Sequence, residues 1–240
     1  MEAFLLAAGL GTRLRPLTND RPKALVEVSG KTLLEINLNN LIQQGATRIV
    51  VNVHHFADKV IEFIKQRSWE AEILVSDERE MLLDTGGGLK KASTLLSGKE
   101  PVLIHNVDIL SRLNFAELVR QQVRTKAIAT LAVSPRETSR MLLFDEEGAL
   151  VGWHNRNKEE YIWSRSEEIF SSELAFSGIA LIQPQILEML PPATNPYPII
   201  PAYLDIAREH LIDHYSHSPS HWLDVGKPET LAKAYEYLPQ

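Results

Sequence analysis

The chain has 240 residues and 44% hydrophobic content, enough to bury one sizeable core, so we expect a single domain over 1–240. The formal net charge of −6 gives no support to nucleic-acid binding and requires any phosphate site to be local. Cysteine is absent, which excludes disulfides, thiol nucleophiles and cysteine metal sites and fits a cytoplasmic protein.

The first half of the chain, about 1–125, alternates apolar runs with helical patterns. Its N-terminal run, 3–10, lacks the basic segment of a signal peptide and is too short to span a bilayer, so we expect no membrane partner. Strands are predicted at 3–8, 48–52, 72–76 and 102–106, and helices at 32–44, 56–66, 86–96 and 114–124. This alternation predicts an α/β protein with a largely parallel sheet covered by helices.

The helix predicted at 32–44 contains signals for both of its ends. Thr32 is a suitable N-cap and Glu35 follows three residues later, the spacing of a capping box. Gly45 lies just beyond the last helical position, where a left-handed C-cap is common. We therefore assign Thr32 a structural role.

The second half, about 126–240, has a less regular pattern. Strands are predicted at 127–133, 141–145, 149–154 and 174–182, with Asp145–Gly148 as a hairpin turn. The charged segment 155–172 and the proline-rich segment 191–201 are predicted to be surface loops. A last helix begins at Pro228 and has apolar residues at helical spacing for packing on the sheet, namely Leu231, Ala234, Tyr235 and Leu238.

The segment from Leu6 to Thr18 leaves the first strand and enters a loop. Its small residues let backbone N–H groups approach a bound anion closely, and Arg13 adds a planar cation suited to phosphate. The glycine spacing starts like a dinucleotide fingerprint but ends on Leu14 instead of a small residue, so a standard NAD loop is excluded. These features predict a local phosphate site.

A second glycine motif, Gly30-Lys31-Thr32, resembles the end of a P-loop. That motif requires a glycine five positions before Gly30, where this chain has Leu25. Two common nucleotide-binding motifs are thus absent from this sequence.

The run from Leu6 to Thr18, followed by Pro22-Lys23-Ala24-Leu25, closely resembles the signature of the sugar-phosphate nucleotidyltransferases. The resemblance continues through the segments Asp84–Gly88, His105–Ile109, Phe176–Ile179 and Trp222–Gly226, and so covers nearly the whole chain. It implies a Rossmann-like, three-layer α/β/α fold of the glycosyltransferase A type, with a mixed, mostly parallel sheet. It also implies an enzyme that joins a nucleoside triphosphate, with UTP favoured, to a sugar 1-phosphate and releases pyrophosphate.

Within that family the chain looks most like the N-acetylmuramate 1-phosphate uridylyltransferases, followed by the mannose 1-phosphate guanylyltransferases. The resemblance also implies roles for individual residues. Arg13, Lys23 and Asp108 would be catalytic, and Asp108 and Asp224 would hold Mg²⁺. The nucleotide would contact Leu6, Ala7, Ala8, Gly9, Gly11, Thr12, Arg13, Thr85, Gly86, Gly87 and Asn106, and the acceptor Lys23, Glu173, Ser177 and Gly178.

The chemistry of the reaction agrees with these roles. Both substrates are polyanions, so cations must screen their repulsion inside an acidic protein. Magnesium usually takes only one or two protein carboxylates and completes its shell with phosphate oxygens and water, so two aspartates suffice. A phosphate monoester is already largely ionised at neutral pH, and no general base is needed.

Structural alternatives remain for several of these residues. Asp108 and Asp224 have the alternative of being turn or helix N-cap residues, since Asp is common at such positions. The Gly86-Gly87 pair has the alternative of a purely structural helix start. Glu173 has the alternative of a solvated surface residue. The adjacent His54 and His55 would point apart on an extended chain and lack an evident third ligand, which favours surface or substrate-rim positions over a metal site.

The sequence departs from the family at Val107, which stands where the family usually has the glycine of Asn-Gly-Asp. Side chains alternate along a strand, so this valine has the option of pointing into the core. Nucleotide positioning beside Asp108 depends on which way it points.

Two other functions compete with the transferase. A metal-dependent glycosyltransferase of similar fold would require an Asp-x-Asp triplet after the central strand, which this sequence lacks. A catalytically inactive nucleotide-sugar-binding protein is the third alternative, since folds of this kind are widely reused. Retention of Arg13, Lys23, Asp108 and Asp224 favours the enzyme.

Overall fold

The structure is a computed structural model and describes residues 1–164, 169–219 and 222–237, with side chains in the last helix as far as Ala234. The strands are β1 Glu2–Leu6, β2 Glu27–Val28, β3 Lys31–Thr32, β4 Arg48–Val53, β5 Glu72–Asp77, β6 Val102–Asn106, β7 Ile109–Ser111, β8 Ala129–Ser134, β9 Arg140–Phe144, β10 Leu150–Asn155, β11 Glu160–Trp163, β12 Ser172–Ile182, β13 Ile212–Ser216 and β14 Trp222–Asp224. The helices are α1 Leu33–Gln43, α2 Ala57–Lys65, α3 Asp84–Ala92, α4 Phe115–Thr125, α5 Gln185–Met189, α6 Ile199–Ile206 and α7 Pro228–Tyr237.

The main sheet of the described chain runs in the order β11-β10-β9-β12-β6-β1-β4-β5, with β8 pairing β12 and β13. Strand β1 lies between β4 and β6, and these strands and β5 are all parallel. Strand β12 joins this parallel region to the second half by pairing antiparallel with β6, β8 and β9. Both halves of the sequence therefore build one mixed sheet.

Helices cover both faces of the sheet because apolar side chains alternate along its buried strands. In β1, Ala3 and Leu5 belong to one cluster of buried residues, which also includes apolar residues of α1, α2, α4 and α7. Phe4 contacts the other cluster, which includes residues of α3, α5 and α6. The three-layer α/β/α architecture predicted from the sequence is confirmed.

The N-cap predicted for α1 is present, with the first of the two bonds of a capping box. Thr32 has an extended backbone, and its Oγ1 accepts a hydrogen bond from the Glu35 backbone N–H at 3.1 Å. The backbone of Gly45 has a φ of 92°, which favours glycine at this helix end. Thr32 is a helix cap, as expected from the failed P-loop match.

Most elements predicted for the first half occur within a few residues of their expected limits, whereas several elements of the second half were missed. The segment 155–172, predicted to be a loop, contains the edge strand β11 and the start of β12, and 191–201 already enters α6 at Ile199. Strand β13 was also missed, because its pairing with β8 depends on contacts distant in sequence. In α7, Leu231 and Ala234 pack into the core as predicted, while the Tyr235 side chain and Leu238 lie outside the described residues.

Strand β12 bends where it meets the centre of the sheet. Its pairing register with β8 shifts between Phe176 and Ala180, and Gly178 within that shift has a φ of 71°. A Cβ at Gly178 would also lie 2.7 Å from Asn106 Nδ2. Glycine is needed there both for the backbone conformation and for close approach to β6.

None of the helices in the described ranges has the length and apolar character required to cross a membrane.

Candidate active site

A cleft of about 510 Å³ opens at the carboxyl ends of β1, β4 and β6. The chain places β4 on one side of β1 and β6 on the other, so this is the point where the strand order reverses and ligands commonly bind in α/β sheets. The cleft is lined by Leu6, Ala8, Gly9, Leu10, Gly11, Thr12, Arg13, Lys23, Asn52, Leu82, Asp84, Thr85, Asn106, Asp108, Pro196 and Gly226.

The loop after β1 is shaped by glycine and by neighbouring side chains. Gly11 has a φ of 65°, and its carbonyl accepts a hydrogen bond from Thr18 Oγ1 at 2.8 Å. A Cβ at Gly11 would lie 3.0 Å from the Lys23 Cβ, so the loop packs tightly on the segment that carries Lys23. Of the residues predicted to contact the nucleotide here, Leu6, Ala8, Gly9, Gly11, Thr12 and Arg13 line the cleft, and Ala7 does not.

A buried pair of polar side chains supports this loop from below. Asn52 Oδ1 accepts hydrogen bonds from the backbone N–H groups of Ala7 and Ala8 at 2.6 and 3.1 Å. Asn52 Nδ2 donates to Glu78 Oε1 at 2.7 Å, and Glu78 Oε2 accepts from the Leu83 backbone N–H at 3.0 Å. Asn52 and Glu78 thus connect the loop after β1 to the segment that precedes α3.

Glu78 is fully buried, and its burial raises the pKa of its carboxyl group, an effect opposed by the bonds from Leu83 and Asn52. A Cβ at Gly88 would lie 2.8 Å from Glu78 Oε1 and 3.0 Å from Asn52 Nδ2. The third glycine of the Gly86–Gly88 run therefore makes room for the Asn52–Glu78 pair.

The predicted base-binding segment lies on the opposite wall of the cleft, where Leu82, Asp84 and Thr85 form the lining. The backbone N–H groups of Gly86 and Gly87 both point to the Tyr197 carbonyl oxygen, at 2.9 and 3.3 Å. A Cβ at Gly86 would overlap the Tyr197 ring. These two glycines lie in the first turn of α3, against Tyr197 and the Asn195 carbonyl oxygen, and their contact with a base stays a prediction.

Charged side chains meet at the floor of the cleft. Lys23 Nζ lies 2.9 Å from Asp108 Oδ2, and both side chains are largely buried, at 14% and 11% exposure. Arg13 is more open, with 55% of its side chain exposed, and its Nη2 lies 3.8 Å from the same carboxylate oxygen. The structure brings together the three residues that the sequence predicted to be catalytic.

Asp224 joins this cluster from the second half of the chain. A Cβ at Gly226 would lie 2.8 Å from Asp224 Oδ1, 2.9 Å from Asp108 Oδ2 and 2.7 Å from Arg13 Nη2. The two predicted metal ligands and one predicted phosphate ligand therefore surround one small space that a side chain would fill. Asp224 Oδ1 also accepts a hydrogen bond from the Gly226 backbone N–H at 2.7 Å.

The donor set in this space suits a hard divalent cation bound together with phosphate. No group of three or more His, Cys, Asp and Glu side chains that could hold a metal occurs within the described ranges. Two carboxylates around one point are the protein contribution that Mg²⁺ commonly uses, with phosphate and water oxygens filling the remaining positions. Asp108 and Asp224 fit that requirement.

Val107 points away from the cleft. Its side chain is fully buried in the cluster that contains α1, and its carbonyl oxygen accepts a hydrogen bond from Asn37 Nδ2 at 2.9 Å. The replacement of the family glycine is therefore accommodated by the core, while Asn106 and Asp108 on either side line the cleft. Nearby, burial lowers the pKa of His105 to about 4, which leaves its ring neutral at pH 7.

The predicted acceptor contacts of the second half lie outside the cleft lining. Glu173 Oε1 bonds to His154 Nδ1 at 2.9 Å, and Glu173 Oε2 accepts hydrogen bonds from Arg156. Ser177 is buried with its Oγ 2.7 Å from His217 Nε2. Gly178 packs against Asn106, which lines the cleft. Their contacts with a sugar remain predictions.

Five residues that line the cleft had no site role predicted from the sequence, namely Asn52, Leu82, Asp84, Pro196 and Gly226. Asn52 had a usable signal, because a polar residue at the carboxyl end of a buried apolar strand faces the region where α/β sheets bind ligands. His54, by contrast, bonds through Nδ1 to the Glu78 carbonyl oxygen at 2.7 Å, and His55 is exposed.

Comparison with known proteins agrees with this architecture. The profile of the family described as Nucleotidyl transferase matches residues 2–150. An N-acetylmuramate alpha-1-phosphate uridylyltransferase from Caulobacter vibrioides is 33% identical over 95% of this chain and 92% of its own length. The mannose-1-phosphate guanylyltransferase catalytic subunit beta of Drosophila pseudoobscura pseudoobscura is 28% identical over 95% of this chain and 60% of its own length. HddC from Yersinia pseudotuberculosis, crystallised with GMP-PN, superposes with a TM-score of 0.75 at 22% identity, covering 98% of both chains.

A three-layer α/β fold with a glycine-rich loop, two cations and two carboxylates at the strand-order reversal defines an enzyme that acts on phosphates. The chain belongs to the nucleotidyl transferase family. Its reaction class is the one that the motifs predicted, the joining of a nucleoside triphosphate and a sugar 1-phosphate.

Proposed function

We propose that this enzyme transfers the uridylyl group of UTP to N-acetylmuramate 1-phosphate in a reaction that uses Mg²⁺. The observation that carries the proposal is the meeting of Arg13, Asp108 and Asp224 at Gly226, with Lys23 paired to the same oxygen of Asp108. The choice of substrates is supported by the 33% identity with the uridylyltransferase over nearly the full length of both proteins.

In the proposed reaction, an oxygen of the sugar phosphate attacks the α-phosphorus of UTP. A new O–P bond forms on the α-phosphorus, the bond to the β-phosphate oxygen breaks, and pyrophosphate leaves with the electron pair. The attacking phosphate is already ionised at neutral pH, so no proton has to be removed. Catalysis then depends on alignment and on screening of negative charge.

Residues of this chain supply that alignment and screening. The loop after β1 lines the cleft where the triphosphate would bind, and Arg13, which is half exposed, would contact the β- and γ-phosphates. Lys23 is positioned beside Asp108 to offset charge on the α-phosphate and the incoming phosphate. Asp108 and Asp224 would hold Mg²⁺, which when bound contributes Lewis-acid stabilisation of the phosphate oxygens.

The proposed substrates are tested by measuring pyrophosphate release with Mg²⁺ for each common nucleoside triphosphate against N-acetylmuramate, N-acetylglucosamine, mannose and glucose 1-phosphates. UTP with N-acetylmuramate 1-phosphate is expected to give the highest kcat/KM. A preference for GTP with mannose 1-phosphate would replace the substrate assignment, and no release from any pair would contradict the reaction itself.

The metal assignment is tested with Asp108→Asn and Asp224→Asn. Each variant keeps the side-chain size but removes a negative charge, so we expect turnover to fall by about 100-fold or more. Binding of Mn²⁺ to the enzyme with UTP, followed by electron paramagnetic resonance, should weaken in both variants. Normal turnover and unchanged Mn²⁺ binding in folded variants would show that the metal is held elsewhere.

A further inference from the structure

Arg136 follows strand β8 and has an uncommon environment for an arginine. Its guanidinium is half-buried and lies 4.2 Å from the centre of the Trp222 ring. Its Nη2 donates a hydrogen bond to the Phe176 carbonyl oxygen, and its Nε is buried and has no hydrogen-bond partner within the described residues. No carboxylate of the described chain forms an ion pair with it.

Arg156, in the same half of the molecule, has a different electrostatic environment from Arg136. Arg156 forms ion pairs with Glu173 and Glu137. Arg136 has only the more distant charge of Asp224, which partly opposes the lowering of its pKa by burial. A guanidinium stays charged in such a setting, and partly buried charges are normally paired. Arg136 is therefore a cation that the described protein itself does not neutralise.

Arg136 lies next to β12, the strand that carries the predicted acceptor contacts Glu173, Ser177 and Gly178. Trp222, on which the guanidinium stacks, donates from Nε1 to the Ser177 carbonyl oxygen at 2.7 Å and begins the strand that ends at Asp224. The next residue after Ser177, Gly178, lies against Asn106 of the cleft wall. Arg136 thus contacts β12 and β14, the strands that carry Ser177 and Asp224, and is not itself among the described residues that line the cleft.

N-acetylmuramate differs from N-acetylglucosamine by a lactyl ether, which adds one carboxylate to the sugar. We propose that Arg136 binds this carboxylate and so selects N-acetylmuramate 1-phosphate over uncharged sugar 1-phosphates. The terminal N–H groups of a guanidinium match a carboxylate geometrically, and the Trp222 stack and the Phe176 carbonyl hold the group in place. This inference rests on the substrate proposed above and assigns it a specificity residue.

The test compares two acceptors on the same protein samples. Values of kcat/KM with UTP are measured for N-acetylmuramate 1-phosphate and for N-acetylglucosamine 1-phosphate in the wild type, Arg136→Gln and Arg136→Lys. Because both acceptors are assayed on one preparation, any loss of folded protein cancels in their ratio. The matched control is Arg120→Gln, which removes an exposed arginine paired with Glu117 on α4.

We expect Arg136→Gln to lower the ratio in favour of N-acetylmuramate 1-phosphate by about 10- to 100-fold, mainly through a higher KM, since charged hydrogen bonds have this strength. Arg136→Lys should retain part of the ratio and Arg120→Gln all of it. An equal loss on both acceptors would assign Arg136 to the shared phosphate or to the fold and overturn the inference. So would an unchanged ratio.

A failure of the proposed function has a different outcome. Wild-type enzyme would then show no preference for N-acetylmuramate 1-phosphate before any variant is made, and both proposals would fall together. A wild type with that preference and an Arg136→Gln variant that keeps it would contradict only the role of Arg136.

Discussion

In the first half of the chain the cleft is lined by loops that follow parallel strands, whereas the second half contributes to its lining only Pro196 and Gly226 among the described residues. Polar side chains of the first half that support the loops, Asn52 and Glu78, are bonded to backbone groups. In the second half, the predicted acceptor residues Glu173 and Ser177 bond through their side chains to other side chains, those of His154, Arg156 and His217.

We infer from this difference that triphosphate binding and acceptor recognition are separated between the two halves of the chain. In the proposed reaction the triphosphate binds to the loop after β1, where a Cβ at Gly11 would lie 3.0 Å from the Lys23 Cβ and 3.1 Å from the Thr18 Cγ2, so a substitution of that glycine should disturb the loop. The acceptor contacts predicted for the second half include the side chains of Glu173 and Ser177, which can change without altering that loop. We therefore expect variants of the first half to affect all acceptors equally and variants of the second half to affect acceptor choice.

The largest effect is expected from Lys23→Met. The change keeps much of the apolar stem but removes the charge that lies 2.9 Å from Asp108 Oδ2. Loss of one well-placed charge at a reacting phosphate should lower kcat/KM by about 100- to 1000-fold for every acceptor. Steady-state pyrophosphate release measures this, with Lys31→Met as a control for loss of an exposed lysine. Selective loss for one acceptor would break the separation between the halves.

A smaller effect is expected from Gly226→Ala, which tests where the halves meet. The added Cβ would lie within 3 Å of Asp224 Oδ1, Asp108 Oδ2 and Arg13 Nη2, at 2.8, 2.9 and 2.7 Å. The Mg²⁺ concentration for half-maximal rate should rise by about 10- to 100-fold, because the carboxylates must move apart. Gly226 does not have a left-handed backbone, so the effect is steric.

Gly98→Ala serves as the control for Gly226→Ala. Gly98 has a φ of 70° and no atom within 4 Å of its added Cβ, so its substitution strains the backbone far from the cleft lining. It should lower thermal stability and leave the Mg²⁺ dependence unchanged. The same Mg²⁺ dependence in the Gly226→Ala enzyme as in the wild type would refute the shared metal space.

The smallest effect is expected from Glu78→Gln. Glutamine offers one acceptor oxygen where Glu78 accepts at two, so either Asn52 Nδ2 or the Leu83 N–H loses its partner. The loop after β1 should become less ordered, raising the KM for UTP by about fivefold with little change in kcat. The exposed neighbour variant Glu80→Gln should keep the wild-type KM. An unchanged KM in Glu78→Gln would remove Asn52 and Glu78 from the nucleotide site.

The Glu78→Gln variant also tests a pH dependence of the free energy of unfolding. Burial raises the pKa of Glu78, so its contribution to the free energy of unfolding is fully present below its unfolded pKa and is lost as the pH rises through the folded pKa. The unfolding free energy of the wild type minus that of Glu78→Gln should therefore fall in urea titrations as the pH rises above about 4.5, the ordinary pKa of the group. A difference that rises with pH would show that the native state favours the ionised carboxylate.

The sequence predicted the first half well because its signals are local. Strand β1, the helix cap at Thr32 and the loop that contains Arg13 each depend on neighbouring residues and were identified directly. The second half was predicted less well. Strand β13 pairs with β8, which is distant in sequence, and β11 is an exposed edge strand with a weak apolar pattern. Pairing partners of this kind are selected by packing.

By itself the sequence predicted the fold class and a loop suited to phosphate, because small residues, strand ends and motif spacing are properties of short segments, and its resemblance to the sugar-phosphate nucleotidyltransferases predicted the reaction class. Only the tertiary structure brought Asp224 to Asp108 across Gly226, directed Val107 into the core, and placed Asn52 and Glu78 beneath the loop. It also left Arg136 over Trp222 without an ion-pair partner in the described chain. These relations depend on contacts between residues far apart in the chain, which the order of strands in the sheet decides.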